Sequence, residues 1–442
     1  MESRVIIRGA KRVQGQITLP GDKSISHRAA MMAAIAEGTS HITNYSSSAD
    51  CGATLSCLEK LGVRIRRSDN EVVIDGAGAR GLSQPAGDLD CANSGTTMRL
   101  LSGIVAGQDF ISTLTGDASL SSRPMQRIIE PLRMMGAQIA AQDGRAPLRV
   151  AGKQQLRAID YELLTASAQV KSCVLLAGLH AEGRTLVIEN EITRDHTERM
   201  LRWFGVAIES GKPEREPENA CFAAVTGPAK LHARDVNVPG DISSAAFFIA
   251  AAALLTESSL EIANVGLNPT RIAFLDQLRR MGFALNATDQ REESNEPVGN
   301  LQLAGRRLER QDRDGQLRID SRIIPQLIDE LPLLAVVGSQ IKGGLEIRDA
   351  RELRVKESDR IAATVAGLRA MGCEVEEFAD GLRVGGPTPL RGAQINPRGD
   401  HRIAMSFAIA GLVAKGETEI LDAECVAVSF PEFFQLLGSV IS

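Results

Sequence analysis

The feature that most constrains this 442-residue chain is a repeat. A helix ending in an LxxMG-like signature, followed by a short strand, recurs six times in order. It reads LEKLGVRI at 58–65, LRMMGAQI at 132–139, LRWFGVAI at 201–208, LRRMGFAL at 278–285, LRAMGCEV at 368–375 and FQLLGSVI at 434–441. The marker glycines are Gly62, Gly136, Gly205, Gly282, Gly372 and Gly438. Glycine reaches positive φ without a Cβ clash, so each is expected to close a helix and turn the chain into a strand. A second pattern precedes each marker: a small-residue helix, a turn usually containing Gly, and a β-rich run. Its copies span 24–44, 93–115, 167–190, 241–264, 329–349 and 400–422. Helix and strand therefore alternate, and each copy reads as a βαβαββ unit of an α/β protein.

The sixth copy meets the C-terminus without its last strands, while RVIIRG and QGQITL precede the first. The N-terminal segment is therefore expected to complete the last unit. Residues 1–20 with 241–442 then form one domain and 21–240 an inserted one, with three repeats in each. The near-identical turns LPGD (19–22) and VPGD (238–241) are placed as paired hinges.

Composition excludes several classes. Aromatics are 3% and the net charge is -5, which argues against base stacking and a general polyanion field, so no nucleic-acid partner is expected. Seven scattered Cys without a CxxC pair fit a reducing, cytoplasmic setting, with the thiols as buried small hydrophobes. The N-terminus MESRVIIRGAKR lacks a signal-peptide run, and AAFFIAAAALL (245–255) is too short to span a bilayer, so no membrane role is expected. The six His show no paired metal spacing, so no metal site is expected. The polar stretch 287–299 reads as a surface loop. Gly76, Gly78 and Gly81 form a GxGxxG that SQPAGDLD follows, which suggests a hairpin loop rather than a dinucleotide turn.

Cations and hydroxyls gather at the expected helix starts. LPGDKSISHRA carries Lys23, Ser24, His27 and Arg28. Others are Asn93 to Arg99, GDASLSSRPMQR (116–127) with Pro124 suited to a first helical turn, and Ser167, Gln169 and Lys171. RDHT (194–197), KESDR (356–360) and DHR (400–402) complete the set. Any one of these reads equally as a capped surface helix. Together they describe a cleft lined by helix N-termini, Lys and Arg, suited to small phosphate and carboxylate substrates. Two acids stand apart as proton-transfer candidates: Asp329 in LIDELPLLAV, and Glu357 between Lys356 and Arg360. Their structural alternatives are a helix N-cap and an i,i+3 ion pair.

LPGDKSISHRA, NSGTTMRL, SSRPM, SAQVK, RDHTERML, VPGDISSAAFF, VKESDRI and GDHRIAM resemble the 5-enolpyruvylshikimate-3-phosphate synthase family over essentially the whole chain. GDKS, SAQVK, RDHTE and NPTR (268–271) resemble its class II branch. The resemblance implies a two-domain inside-out α/β barrel fold. It implies transfer of the enolpyruvyl group of phosphoenolpyruvate to the 5-hydroxyl of shikimate 3-phosphate, by addition and elimination, on the route to chorismate and aromatic amino acids. No cofactor is implied, a monomer is expected, and glyphosate is the expected competitive inhibitor.

Carried over by motif, the shikimate 3-phosphate contacts are Lys23, Ser24, Arg28, Ser167, Gln169, Arg194, Asp329 and Lys356. Those of phosphoenolpyruvate are Lys23, Gly95, Arg123, Gln169, Arg360 and Arg402. Asp329 matches the base for the 5-hydroxyl and Glu357 the acid for the methylene carbon, with Lys23 beside both substrates. Glu424 stands where some members carry a Lys that contacts phosphoenolpyruvate. Two alternatives stay open. A UDP-N-acetylglucosamine enolpyruvyl transferase should have a loop Cys, which 116–127 lacks; a non-catalytic anion-binding scaffold would have no activity to lose.

Overall fold

The computed structural model describes residues 3–152, 155–213, 220–305 and 317–442. The chain forms two compact units. The inserted unit is Gly21–Pro239 with Glu292–Glu296. The terminal unit is the chain up to Pro20, Gly240–Arg291 and the chain from Pro297. Each has its own apolar core.

Among the described residues, the inserted unit's helices of eight residues or more are α1 (Lys23–Ala34), α2 (Ala49–Lys60), α3 (Gly95–Ala106), α4 (Gln126–Met134), α5 (Ala168–Gly178) and α6 (His196–Trp203). In the terminal unit they are α7 (Ile242–Leu254), α8 (Ala273–Arg280), α9 (Leu331–Gly338), α10 (Arg360–Ala370), α11 (His401–Val413) and α12 (Phe433–Val440). The odd-numbered helices are the small-residue ones and lie inside. α3 buries eleven of its twelve residues and α11 twelve of thirteen. Small side chains let them approach closely: a Cβ on Gly103 of α3 would meet Cys173 O of α5 at 2.3 Å. The strand Arg145–Ala151 instead alternates exposed and buried residues, so its sheet keeps one face to solvent. Helices inside and sheets outside is the inside-out arrangement, built from separate sheets rather than one closed ring.

Among the described residues six sheets share one plan, three in each unit. A short strand lies parallel to the strand after an inner helix, which then pairs with an antiparallel hairpin. Leu89–Asp90, Ile111–Thr115, Arg145–Ala151 and Gln138–Gln142 are one example. In the last sheet Arg4–Arg8 takes the antiparallel place beside Glu417–Leu421, in register from Arg4↔Leu421 to Arg8↔Glu417. Gln14–Thr18 runs parallel to Ser259–Gly266.

Five marker glycines turn the chain as expected, at φ between 85° and 103° for Gly62, Gly136, Gly205, Gly282 and Gly372. Gly438 differs: it lies inside α12, because no strand follows it and the helix simply continues. The stretch 287–299 is not a loop. Leu285–Glu293 and Glu296–Ala304 are strands of one sheet, and the turn is confined to Ser294 and Asn295 at positive φ. Polar side chains sit on its exposed face while the backbone is satisfied by pairing. Gly76–Gly81 is the end of the strand Glu71–Ala77 and the loop after it, not a hairpin turn; the hairpin turns earlier, between Ser68 and Glu71. Pro124 lies one residue before the Met125 cap of α4, outside its first turn.

His180 is buried, with neither ring nitrogen hydrogen-bonded, and Gly107 packs directly against it. Burial, helped by Arg80, pushes its pKa down to about 4. The unfolded chain takes the proton below its ordinary value near 6.5, and the folded chain only near 4. Stability is therefore full above pH 6.5 and falls as pH drops toward 4. The expected contribution is about 3 kcal/mol. Urea unfolding of His180→Leu against the parent chain should show a flatter decline over this window; parallel declines would contradict it.

Candidate active site

Burying a helix leaves its first N–H groups in need of acceptors. Five inner helices meet this with their own caps. Asp22, Ser94, Ser167, Asp241 and Asp400 accept from Ile25, Thr97, Val170, Ser243 and Arg402 N–H respectively. Glu330 holds the cap position of α9 and makes no such bond. Asp329, expected as an N-cap in the structural alternative, lies one residue further out.

In the inserted unit the starts of α1, α3 and α5 are joined by polar side chains. Lys23 Nζ donates to Asp50 Oδ2 at 2.8 Å. Thr97 Oγ1 is 3.5 Å from Asp50 O and 2.8 Å from Ser94 Oγ. Gln169 accepts from Arg99 Nη1 at 2.6 Å and donates to Thr96 Oγ1 at 2.9 Å. Arg123, buried, donates to Asn93 Oδ1 and Ser119 Oγ at 2.8 and 3.0 Å. A Cβ on Gly95 would lie 2.8 Å from Arg99 Nη1 and 3.6 Å from Arg123 Nη1, so glycine makes room for both guanidiniums.

Arg28 is 3% exposed and held from three sides. Its Nε donates to Thr197 Oγ1 at 2.7 Å, Nη2 to Ser172 Oγ at 2.8 Å, and Nη1 to Ser24 O at 2.9 Å. Burial pushes its pKa down to about 10, with Glu198 opposing and Arg194 adding to the fall. The guanidinium stays charged at neutral pH. His27 sits beside it with Nδ1 2.6 Å from Thr54 Oγ1. Burial, with Lys23 and Arg28, holds it well below the usual histidine range, so it is neutral.

In the terminal unit one guanidinium gathers three carboxylates. Arg360, 1% exposed, donates through Nε to Asp400 Oδ2 at 2.8 Å, through Nη2 to Glu357 Oε2 at 2.6 Å and through Nη1 to Asp329 Oδ1 at 3.3 Å. Burial works to lower its pKa, but Asp400, Glu357 and Asp329 outweigh it and hold it above the ordinary arginine value. Arg402 donates to Ser243 Oγ at 3.0 Å and to Asp329 O at 3.3 Å. Its Nη1 stands 3.6 Å from Glu330 Oε1. Ser243 Oγ in turn donates to Glu330. The starts of α7, α9, α10 and α11 thus share one polar cluster. The i,i+3 ion pair expected as the alternative for Glu357 does form. Lys356 lies next to it, 3.7 Å from Glu352.

The sequence-predicted residues therefore fall into two groups. Lys23, Ser24, Arg28, Gly95, Arg123, Ser167, Gln169 and Arg194 belong to the inserted unit; Asp329, Lys356, Glu357, Arg360 and Arg402 to the terminal unit. Lys171 is a correction. It does not open toward the other cations but lies one turn into α5, 2% exposed, between Glu189 and Glu198 at 2.6 and 2.7 Å. Thr197, expected within the RDHT cluster, does meet Arg28; Asp50 and Ser243 are site neighbours that the sequence did not single out. Glu424 is exposed on a short 3-10 turn, its N–H donating to Ser3 Oγ. Among the described residues no group of three His, Cys, Asp or Glu could hold a metal ion, and no helix is long and apolar enough to cross a membrane.

The chain matches the family described as EPSP synthase (3-phosphoshikimate 1-carboxyvinyltransferase) over residues 7–437. A 3-phosphoshikimate 1-carboxyvinyltransferase of Koribacter versatilis is 51% identical over 438 residues, covering 99% of each chain. One of Acidithiobacillus ferrooxidans is 48% identical over 432 residues, covering 98% of this chain and 96% of that one. The solved EPSP synthase of Acinetobacter baumannii shares 42% identity at a TM-score of 0.85, covering 100% of this chain and 98% of that one. On sequence and fold alike, the chain belongs to the EPSP synthase, or 3-phosphoshikimate 1-carboxyvinyltransferase, family.

Proposed function

We propose that the chain carries out the reaction its family is named for. The enolpyruvyl group of phosphoenolpyruvate moves to the 5-hydroxyl of shikimate 3-phosphate, and phosphate is released. The observation that carries this reading is the sharing of the buried Arg360 by Asp329 and Glu357. It puts two carboxyl groups, one to take a proton and one to give it, beside a cation that can hold an anionic substrate.

In this reading residues of both units act on the same pair of substrates. Lys23, Ser24, Arg28, Ser167, Gln169, Arg194, Asp329 and Lys356 hold shikimate 3-phosphate. Lys23, Gly95, Arg123, Gln169, Arg360 and Arg402 hold phosphoenolpyruvate. Asp329 takes the proton of the 5-hydroxyl as its oxygen bonds to C2 of phosphoenolpyruvate, while Glu357 delivers a proton to C3. In the second half the C2–O bond to phosphate breaks and a methyl proton returns to Glu357, restoring the double bond. Lys23, between both substrates, offsets charge that develops on them.

Arg360 and Arg402 face Asp329, Glu330, Glu357 and Asp400. An anionic group on Arg360 competes for the Nη2 donor that Glu357 otherwise accepts. The same reading takes the chain crossings at Pro20–Gly21 and Pro239–Gly240 as hinges between two domains. It also takes the chain as a cytoplasmic monomer with glyphosate as a competitive inhibitor. The UDP-sugar alternative gains no support, since 116–127 has no Cys.

Phosphate release in a coupled assay with shikimate 3-phosphate and phosphoenolpyruvate tests the reading. Turnover is expected; its absence from well-folded protein, or turnover only with the UDP-sugar, would overturn it. Asp329→Asn and Glu357→Gln are each expected to lower kcat by about 10²-fold or more. Arg123→Ala should weaken phosphoenolpyruvate binding more than shikimate 3-phosphate binding in calorimetry; equal losses would count against its assignment.

A further inference from the structure

Two fragments of the sequence, SAQVK and RDHTE, contain residues that the proposed reaction does not use: Lys171 and Glu198. The fold brings them together. Lys171 Nζ lies 2.7 Å from Glu198 Oε1 and 2.6 Å from Glu189 Oε2, with all three side chains at most 5% exposed. Burial alone would lower the lysine pKa, but Glu198 and Glu189 outweigh it and keep the ammonium charged. The triad therefore carries one net negative charge in a site closed to water. Glu198 Oε2 is buried and accepts no hydrogen bond. A buried carboxylate charge of that kind is costly unless cations stand close.

Glu198 acts electrostatically on Arg28, as does Arg194, and the triad reaches both arginines through its chain neighbours. Glu198 follows Thr197, the acceptor of Arg28 Nε, and Lys171 precedes Ser172, the acceptor of Arg28 Nη2. Ser172 Oγ donates to Ala168 O at 2.6 Å, so in its 2.6 Å contact with Thr197 the threonine hydroxyl is the donor. Each hydroxyl then offers lone pairs to the guanidinium, and its orientation is fixed. On the other side Glu189 accepts from Thr193 Oγ1, directly before Arg194. Lys171 thus ties α5, the end of the strand Ala181–Glu189 and the start of α6 to one another.

We propose that Lys171, Glu189 and Glu198 form a positioning triad that sets the affinity for shikimate 3-phosphate by holding Arg28 and Arg194 in place and balancing their charge. The proposal rests on the assignment of those two arginines to that substrate. The triad acts on the substrate through the two arginines. Lys23 and Gln169 are assigned to both substrates, and Gln169 shares α5 with Lys171. The larger effect is therefore expected on shikimate 3-phosphate, to which Arg28 and Arg194 are assigned.

The test uses the full chain and the isosteric variants Glu198→Gln and Glu189→Gln, which remove charge and keep shape. For each, KM is measured for both substrates, together with equilibrium binding of shikimate 3-phosphate and the thermal midpoint. Expected is a rise of about tenfold or more in KM and Kd for shikimate 3-phosphate, with KM for phosphoenolpyruvate within about twofold. Equal rises for both substrates, or a lowered midpoint with both KM values unchanged, would overturn the proposal and leave the triad a stability element. Should Glu198→Gln fail to fold, Glu189→Gln carries the same test through Thr193 and Arg194. If the parent chain itself neither binds nor turns over shikimate 3-phosphate, it is the proposed reaction that fails.

Discussion

Total burial of the inner helices is the constraint on which the rest of the structure depends. A helix with no solvent-facing side must find acceptors for its first N–H groups within the protein, and side chains placed at its own start are the most direct source. Asp22, Ser94, Ser167, Asp241 and Asp400 meet that need. Because small residues such as Gly103 stand where these helices meet, they pack closely, and their starts come within hydrogen-bond reach of one another. Thr96 of α3 meets Gln169 of α5; Arg402 of α11 meets Ser243 of α7. Helix starts favour anions by dipole as well as by N–H groups. The architecture thus creates anion-seeking clusters before any chemistry is considered.

Within that frame α9 is the exception. Glu330 makes no cap bond, and Asp329 and Glu330 instead face Arg360, Arg402 and Ser243. At this uncapped start the acids are given over to the ion cluster. Such a cluster is weak evidence for stability, since desolvation offsets much of the attraction. Its value is that removing a single partner leaves a charge stranded, so the geometry is tightly specified. Asp400 serves both needs, capping α11 and pairing with Arg360.

Much of this was legible in the sequence. The LxxMG signature identified helix ends because only glycine tolerates the required φ, and five of six obey. Gly438 does not, because the signature reports a turn only where a strand follows. The 287–299 stretch misled because its polar composition matches a loop, while the pairing that makes it a hairpin is non-local. Lys171 misled for a related reason. Its place near a helix start suggested an exposed cation, and nothing local revealed that Glu189 and Glu198, 18 and 27 positions later, would enclose it. Asp50 and Ser243 were invisible because their partners are distant in sequence and their own surroundings are ordinary.

Proton delivery by Glu357 to the methylene carbon, and its later return, is tested most directly by turnover in D2O with mass analysis of the product. Deuterium is expected in the enolpyruvyl methylene, because the transient methyl group loses either isotope on elimination, and Glu357→Gln is expected to suppress both turnover and label. Product formed at full rate in D2O without deuterium at that carbon would contradict it.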